Sequence, residues 1–380
     1  MRRRDPLPGS RSLRATLHRN IDRGAAGRAG LLALLAALAA DGACGAEAPE
    51  TPLPRCPAAS VAECVQWCRE QNPGAERSVA RAACYDALEV EPAPPADTPL
   101  QRLWNEPRSI GFQAYQPSYL LVTRTDHPDD APTSPNPDNQ VPYSYNLEHT
   151  EMKFQFSLKA LVLPGKVLGN PESRNSLWFG YTQQSYWQAF DGAHSRPFIE
   201  SNYEPELIYS RRLDGTTGRP GAAPPPPVQG WHPVFLNIGL QHQSNGQSDP
   251  RSRSWNRAYA QLGLTDRLSD EDSLAMLLRP WWRFREPAGT DNNPDIQHYL
   301  GHGDAELDWW HGDHLFSLLA RERSLQFDLA TPLLFFGKGS PKDRALQLHL
   351  QLFTGYGESL IDYNQRHTTL GLGISIPYGL

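Results

Sequence analysis

The chain has 380 residues, 39% of them hydrophobic and 10% aromatic, with a net charge of −6. That modest negative charge argues against a nucleic-acid partner. No apolar run of about 18 residues follows the N-terminus, which argues against a membrane-spanning helix; a transmembrane barrel stays open, because polar lumen residues dilute each apolar strand.

Residues 1–46 read as an export signal. Met1 to Arg28 is basic, and Leu31 to Ala40 is an apolar run too short to cross a bilayer. Cleavage after Ala46 suits the small residues there. The basic part is long for a signal, so a later translation start is one alternative and a short buried helix another. Residues 47–98 read as a periplasmic extension. All five cysteines precede residue 85, and loss of the signal removes Cys44. The remaining Cys56, Cys64, Cys68 and Cys84 suggest two disulfides with three possible pairings. A zinc site is the alternative, and export argues against it. Ser60 to Leu88 has helical character, and the Pro-rich Glu91 to Pro99 separates the extension from the rest of the chain.

Residues 99–380 read as one domain. From Ser109 short alternating segments recur, parted by turn residues. Phe154, Phe156 and Leu158 alternate with Gln155, Ser157 and Lys159. Leu346, Leu348, Leu350 and Leu352 alternate with Gln347, His349 and Gln351. Leu370, Leu372, Ile374 and Ile376 alternate with Gly371, Gly373 and Ser375. The pattern predicts an all-β antiparallel transmembrane barrel. Residues such as Lys153, Gln155, Arg257 and His349 suit a filled lumen. Aromatics near segment ends (Trp178, Tyr181, Tyr186, Trp187, Trp281, Trp282, Trp309, Trp310) suggest interfacial girdles. Thr125 to Tyr143 and Asp214 to Gln229 read as loops without fixed structure.

The most informative stretch is Trp231 to Thr265. Leu236, Ile238, Leu240, His242 and Ser244 share one face of a predicted strand. After a Gly/Ser/Asp/Pro turn, Ser254, Asn256, Ala258, Ala260, Leu262 and Leu264 share one face of the return strand. Centring the hairpin on Asp249 sets His242 opposite Asn256. A serine, a base that can activate it and an amide that can orient the base thus meet on an apolar ladder. Facing a soluble core, such a nucleophile meets no substrate; facing lipid, it meets acyl chains. Gly246, just past Ser244, can offer a backbone N–H to an oxyanion.

The string from His242 through Ser244, Gly246, Asp249 and Ser252 to Asn256 resembles the active-site hairpin of the outer membrane phospholipase A family. Tyr181 to Gln183, Ser201 to Pro205, Asn292 to Asp295 and Gly355 to Asn364 agree with it. The resemblance runs from about Ser109 to the C-terminus. It implies about twelve strands and a calcium-dependent serine hydrolase of the bacterial outer membrane. Such an enzyme has phospholipase A1, phospholipase A2 and lysophospholipase activity and is active as a homodimer. His242, Ser244 and Asn256 are then the catalytic residues, with Gly246 at the oxyanion. Calcium is held by Gln247, Ser252 and a partner-supplied Ser195, with Asn292 at a secondary position. Gln183 lies in the dimer contact. The family often has Arg at position 247 and an acid at position 292; loss of that acid weakens the secondary site. Two rivals are a passive barrel, whether porin or structural protein, and a soluble β-sandwich esterase.

Overall fold

The computed structural model describes residues 97–105, 111–165, 167–168, 174–214, 230–333 and 346–376, together with Gln66 and Glu70. The expected signal and cysteine-bearing extension lie outside the described residues, apart from Gln66, Glu70, Asp97 and Thr98. So do residues 215–229 of the second predicted loop.

The strands are β1 (Phe112–Ala114), β2 (Ser118–Thr125), β3 (Thr150–Leu163), β4 (Asn175–Trp187), β5 (Phe198–Arg212) and β6 (His232–Ser244). They continue as β7 (Ser254–Arg267), β8 (Asp272–Arg283), β9 (Gly303–His311), β10 (His314–Arg321), β11 (Ser324–Pro332), β12 (Gln347–Tyr356) and β13 (Arg366–Ile376). Two short helices are α1 (Pro99–Leu103) and α2 (Ile296–Leu300). From β2 to β13 each strand pairs antiparallel with the next, and β13 returns to β2, so twelve strands close a barrel. β1 also pairs with β3, beyond the part of β3 that β2 covers. Pro117, without an N–H to give the ladder, sits at the break between β1 and β2.

The alternation sets polarity inside and apolarity outside. On β13, Leu370, Leu372 and Ile376 are exposed while His367, Thr369 and Ser375 are buried. On β2, Leu120 and Val122 are exposed while Tyr119 and Thr123 are buried. An apolar wall of this extent is stable against hydrocarbon rather than water, which removes the soluble sandwich.

The lumen is filled. Lys153 Nζ donates to Gln351 Oε1 at 2.8 Å and Glu358 Oε1 at 3.0 Å. Arg279 grips Asp304 through two nitrogens at 3.1 and 2.6 Å. His349 and Gln351 both bond Asp328 at 2.8 Å. A cavity of about 190 Å³ lies among these pairs, and a lumen crossed by such bonds is that of a small filled barrel rather than a porin.

At the end opposite the β6–β7 turn, α1 enters the mouth. Thr98 caps it through a reciprocal bond with Gln101. Arg212 Nη1 donates to Gln101 O at 3.0 Å. Trp104 then packs on Trp178, Tyr115 and Phe235. The Lys159 ammonium, with no hydrogen bond among the described residues, lies 3.4 Å from the Trp104 ring centre, a cation–π contact.

Two expectations need correction. Trp178, Tyr186, Trp281 and Trp310 are not girdle residues; they are buried in the barrel. Strand alternation sends consecutive tryptophans to opposite faces, so Trp282 and Trp309 are the exposed members of their pairs. The first loop is also fixed rather than free. It contains a 3-10 turn, Pro137–Asn139, and ties to distant loops through Asn139 to Asp249 at 2.7 Å and Ser134 to Asn292 O at 2.8 Å.

Candidate active site

β6 and β7 pair in the expected register: His242 faces Asn256, and Ser244 faces Ser254. On β6, Ile238 and Leu240 are 55% and 54% exposed, and His242 continues their face as an exposed residue. The inward neighbours Asn237 and Gln241 are buried. His242, Ser244 and Asn256 therefore all lie on the outer wall.

His242 Nδ1 and Asn256 Oδ1 are 2.8 Å apart. An amide oxygen can only accept, so Nδ1 carries the proton and Nε2 keeps its lone pair. The other end of the amide, Nδ2, donates to Glu286 Oε1 at 3.3 Å. The sequence reading missed Glu286, which sits three residues past β8. The Arg257–Arg283 rung brings the chain just after β8 beside Asn256, a placement that no sequence pattern signals. The Ser244 hydroxyl makes no hydrogen bond to His242 among the described residues. It stands two residues away on the same face, where rotation about its Cα–Cβ bond redirects the oxygen.

The turn after Ser244 is held from within. Asn245 Nδ2 donates to Arg251 O at 2.8 Å and Glu200 Oε1 at 3.2 Å, and its Oδ1 accepts from the N–H groups of Gln247 and Arg253. Arg253, fully buried, donates to Ser252 O at 2.8 Å and Asn139 O at 3.0 Å. Gly246 has φ +62°, where a side chain is strained, and an added Cβ would stand 3.0 Å from the Tyr203 ring. Among the described residues nothing accepts from the Gly246 N–H, which leaves it available beside Ser244.

The remaining expected residues divide into two groups. Ser252 and Asn292 come together: Asn292 Nδ2 donates to Ser252 Oγ at 2.8 Å, and Asn292 Oδ1 accepts from Ser254 N at 3.0 Å. Gln247 uses its side chain on Ile199 O at 2.8 Å, leaving its backbone carbonyl as the group it can offer. Asp249 is exposed nearby, with Asn139 on one carboxylate oxygen. These are oxygen donors of the kind a hard divalent cation takes, and too few to enclose one. Ser195 is exposed on the β4–β5 loop at φ +63° and shares no hydrogen bond with Ser252 or Gln247 among the described residues. Gln183 lies on the outer wall, bonded to Tyr181 and Ser185. Successive cross-strand partners run Gln183, Tyr203, Ser244, Ser254, so Gln183 and Ser244 lie on one rung of the ladder, two strands apart.

Behind the site, α2 and its approach are pinned by a cluster of Trp255, Trp281, Ile296, Leu300, Leu360 and Tyr363. Tyr363 donates to Asp295. Burial, and then that carboxylate, push its phenol above the ordinary value, so it remains a neutral donor.

The family described as phospholipase A1 matches residues 101–376. Phospholipase A1 of Escherichia coli K12 is 31% identical over 69% of this chain and 80% of its own length. That of Proteus vulgaris is 30% identical over 78% of this chain and 92% of its own. The outer membrane phospholipase A structure from Escherichia coli covers 74% of this chain and 98% of its own at TM-score 0.59 and 28% identity. The Salmonella typhi enzyme, solved as a dimer with bound calcium, gives TM-score 0.59 at 29% identity over 75% and 98%. Taken with a closed barrel whose wall faces hydrocarbon, these matches show that the chain belongs to the phospholipase A1 family and is a multi-pass outer-membrane enzyme that hydrolyses phospholipids.

Proposed function

We propose that Ser244, His242 and Asn256 form the catalytic triad and that it cleaves acyl esters at both glycerol positions and in lysophospholipids. The observation that carries this reading is the 2.8 Å bond between His242 Nδ1 and Asn256 Oδ1 on the lipid-facing wall, two residues from Ser244. His242 Nε2 takes the Ser244 proton as the oxygen attacks the ester carbonyl. The Gly246 N–H faces the developing oxyanion. The imidazolium returns its proton to the departing alcohol, and a water activated by His242 then releases the fatty acid from Ser244.

The finer reading includes calcium and a second copy. Ser252 Oγ, the Gln247 carbonyl and Ser195 of a partner chain would hold the ion, with Asn292 beside them. When bound, calcium supplies positive charge near the oxyanion. The same donors are too few within one chain, and Gln183 offers a polar contact on the wall, on the rung that continues to Ser244. A triad open to the membrane then acts when two barrels meet. Residues 1–46 serve export, and residues 47–98 precede the barrel domain, residues 99–380.

The test is hydrolysis of phospholipid micelles by detergent-purified protein, with calcium or chelator, alongside covalent labelling by an alkyl fluorophosphonate. Ser244→Ala is expected to lose both labelling and at least ~10³-fold of the rate. Wild-type activity in that variant overturns the triad.

A further inference from the structure

An amide in the third position of a triad leaves two things unsupplied. It carries no charge to balance the imidazolium. It also has two ends of similar shape, one that accepts and one that donates. If the donating end turned to His242, Nδ1 would become the acceptor and the proton would sit on Nε2, where it blocks attack by Ser244.

Glu286 addresses both. Its carboxylate accepts only, and it lies 3.3 Å from Asn256 Nδ2. Among the described residues it has no cationic partner, while its neighbour Arg283 is already paired to Asp291 at 2.6 Å. The backbone holds it in place: Phe284 N donates to Asn256 O at 2.8 Å, which extends the β7–β8 ladder to the point where the chain turns out with Glu286. We propose that Glu286 is a positioning residue that extends the triad to Ser244–His242–Asn256–Glu286. It selects the Nδ1–H tautomer of His242 through the orientation of Asn256 and supplies the negative charge that the amide lacks. This rests on the triad reading above.

The test is a set of steady-state rates on phospholipid micelles at saturating calcium, with barrel folding checked by heat-modifiable electrophoretic mobility. Glu286→Gln keeps the size and the hydrogen-bonding capacity but loses the charge and the fixed polarity. It is expected to lower kcat about five- to tenfold with KM unchanged. Glu286→Asp is expected to recover part of the loss. In an Asn256→Asp background the charge already stands next to His242, and Glu286 becomes a like-charged neighbour. There Glu286→Gln is expected to leave kcat unchanged or raise it. Unchanged kcat in Glu286→Gln, with a large loss in Asn256→Ala, overturns the positioning role and leaves the triad standing. The same fractional loss from Glu286→Gln in both backgrounds also overturns it, since a packing role is indifferent to charge at position 256. Full activity in Asn256→Ala overturns the triad and this role together.

Discussion

Two adjacent rungs of the β6–β7 ladder carry opposite burdens. Gln241 faces Arg257 and His242 faces Asn256. The first pair points into the lumen, where Arg257 Nε donates to Gln241 Oε1 at 2.6 Å and its guanidinium stacks on Trp255 and Trp281. The second points outward from the wall, bonded at 2.8 Å, with His242 exposed. Both are polar pairs at similar distance on the same two strands. What separates them is the environment. The lumen pair is one link in a network that fills the barrel, so its energy goes into folding. The wall pair has Glu286 as its one further side-chain hydrogen-bond partner among the described residues, so little of the fold depends on it. A register slip by one residue would exchange the two faces, and the buried Gly239–Tyr259 rung resists that slip, because a Cβ on Gly239 would stand 2.2 Å from the Tyr259 ring.

The sharpest way to break the comparison is on the wall rung. His242→Ala removes the proposed base and is expected to lower phospholipid hydrolysis by at least ~10³-fold. The thermal unfolding temperature in detergent should move little, since the ring is exposed and its partner Asn256 keeps a bond to Glu286. A large fall in stability would mean that the two rungs are not so different.

The reciprocal experiment is on the lumen rung. Arg257→Met keeps the length and apolar bulk but leaves the buried Gln241 without its donor and Glu204 without the guanidinium at 3.9 Å. Loss of about 2–3 kcal/mol is expected from the stranded polar group. It should be read as a lower unfolding midpoint, with hydrolysis by the folded fraction within about threefold of wild type. A collapse of kcat at unchanged stability would place Arg257 in the chemistry.

This contrast also separates what the sequence makes legible from what it does not. The wall rung follows from two-residue alternation and the turn centre at Asp249, both local. The lumen's filled character follows from the polar residues on the other face. Glu286 was not legible, because residues 284–295 carry no period that fixes their height on the wall. The first loop hides its order for a related reason: its Pro and Asp content signals a loop, but the bonds that fix it come from Asp249 and Asn292, more than a hundred residues away. Consecutive tryptophans do not reveal which of the pair faces inward, because adjacent aromatics give no alternation to read. α1 left no mark, since five residues cannot show helical periodicity and its stability comes from Arg212 and the aromatic pocket around Trp104.

The smallest expected effect lies where the wall hairpin meets the loop before α2. Asn292 behaves there like a lumen amide, spending both ends inside the chain: Nδ2 on Ser252 Oγ and Oδ1 on Ser254 N. A cation approaching Ser252 must share that hydroxyl with a hydrogen-bond donor, which is the wrong partner beside a positive ion. Asn292→Asp keeps the acceptor for Ser254 N, removes the competing donor and adds a charge that calcium favours. The expected outcome is a fall of about three- to tenfold in the free calcium that gives half-maximal hydrolysis. A calcium titration that superimposes on wild type would place Asn292 outside the metal's reach and leave its amide with a purely structural role.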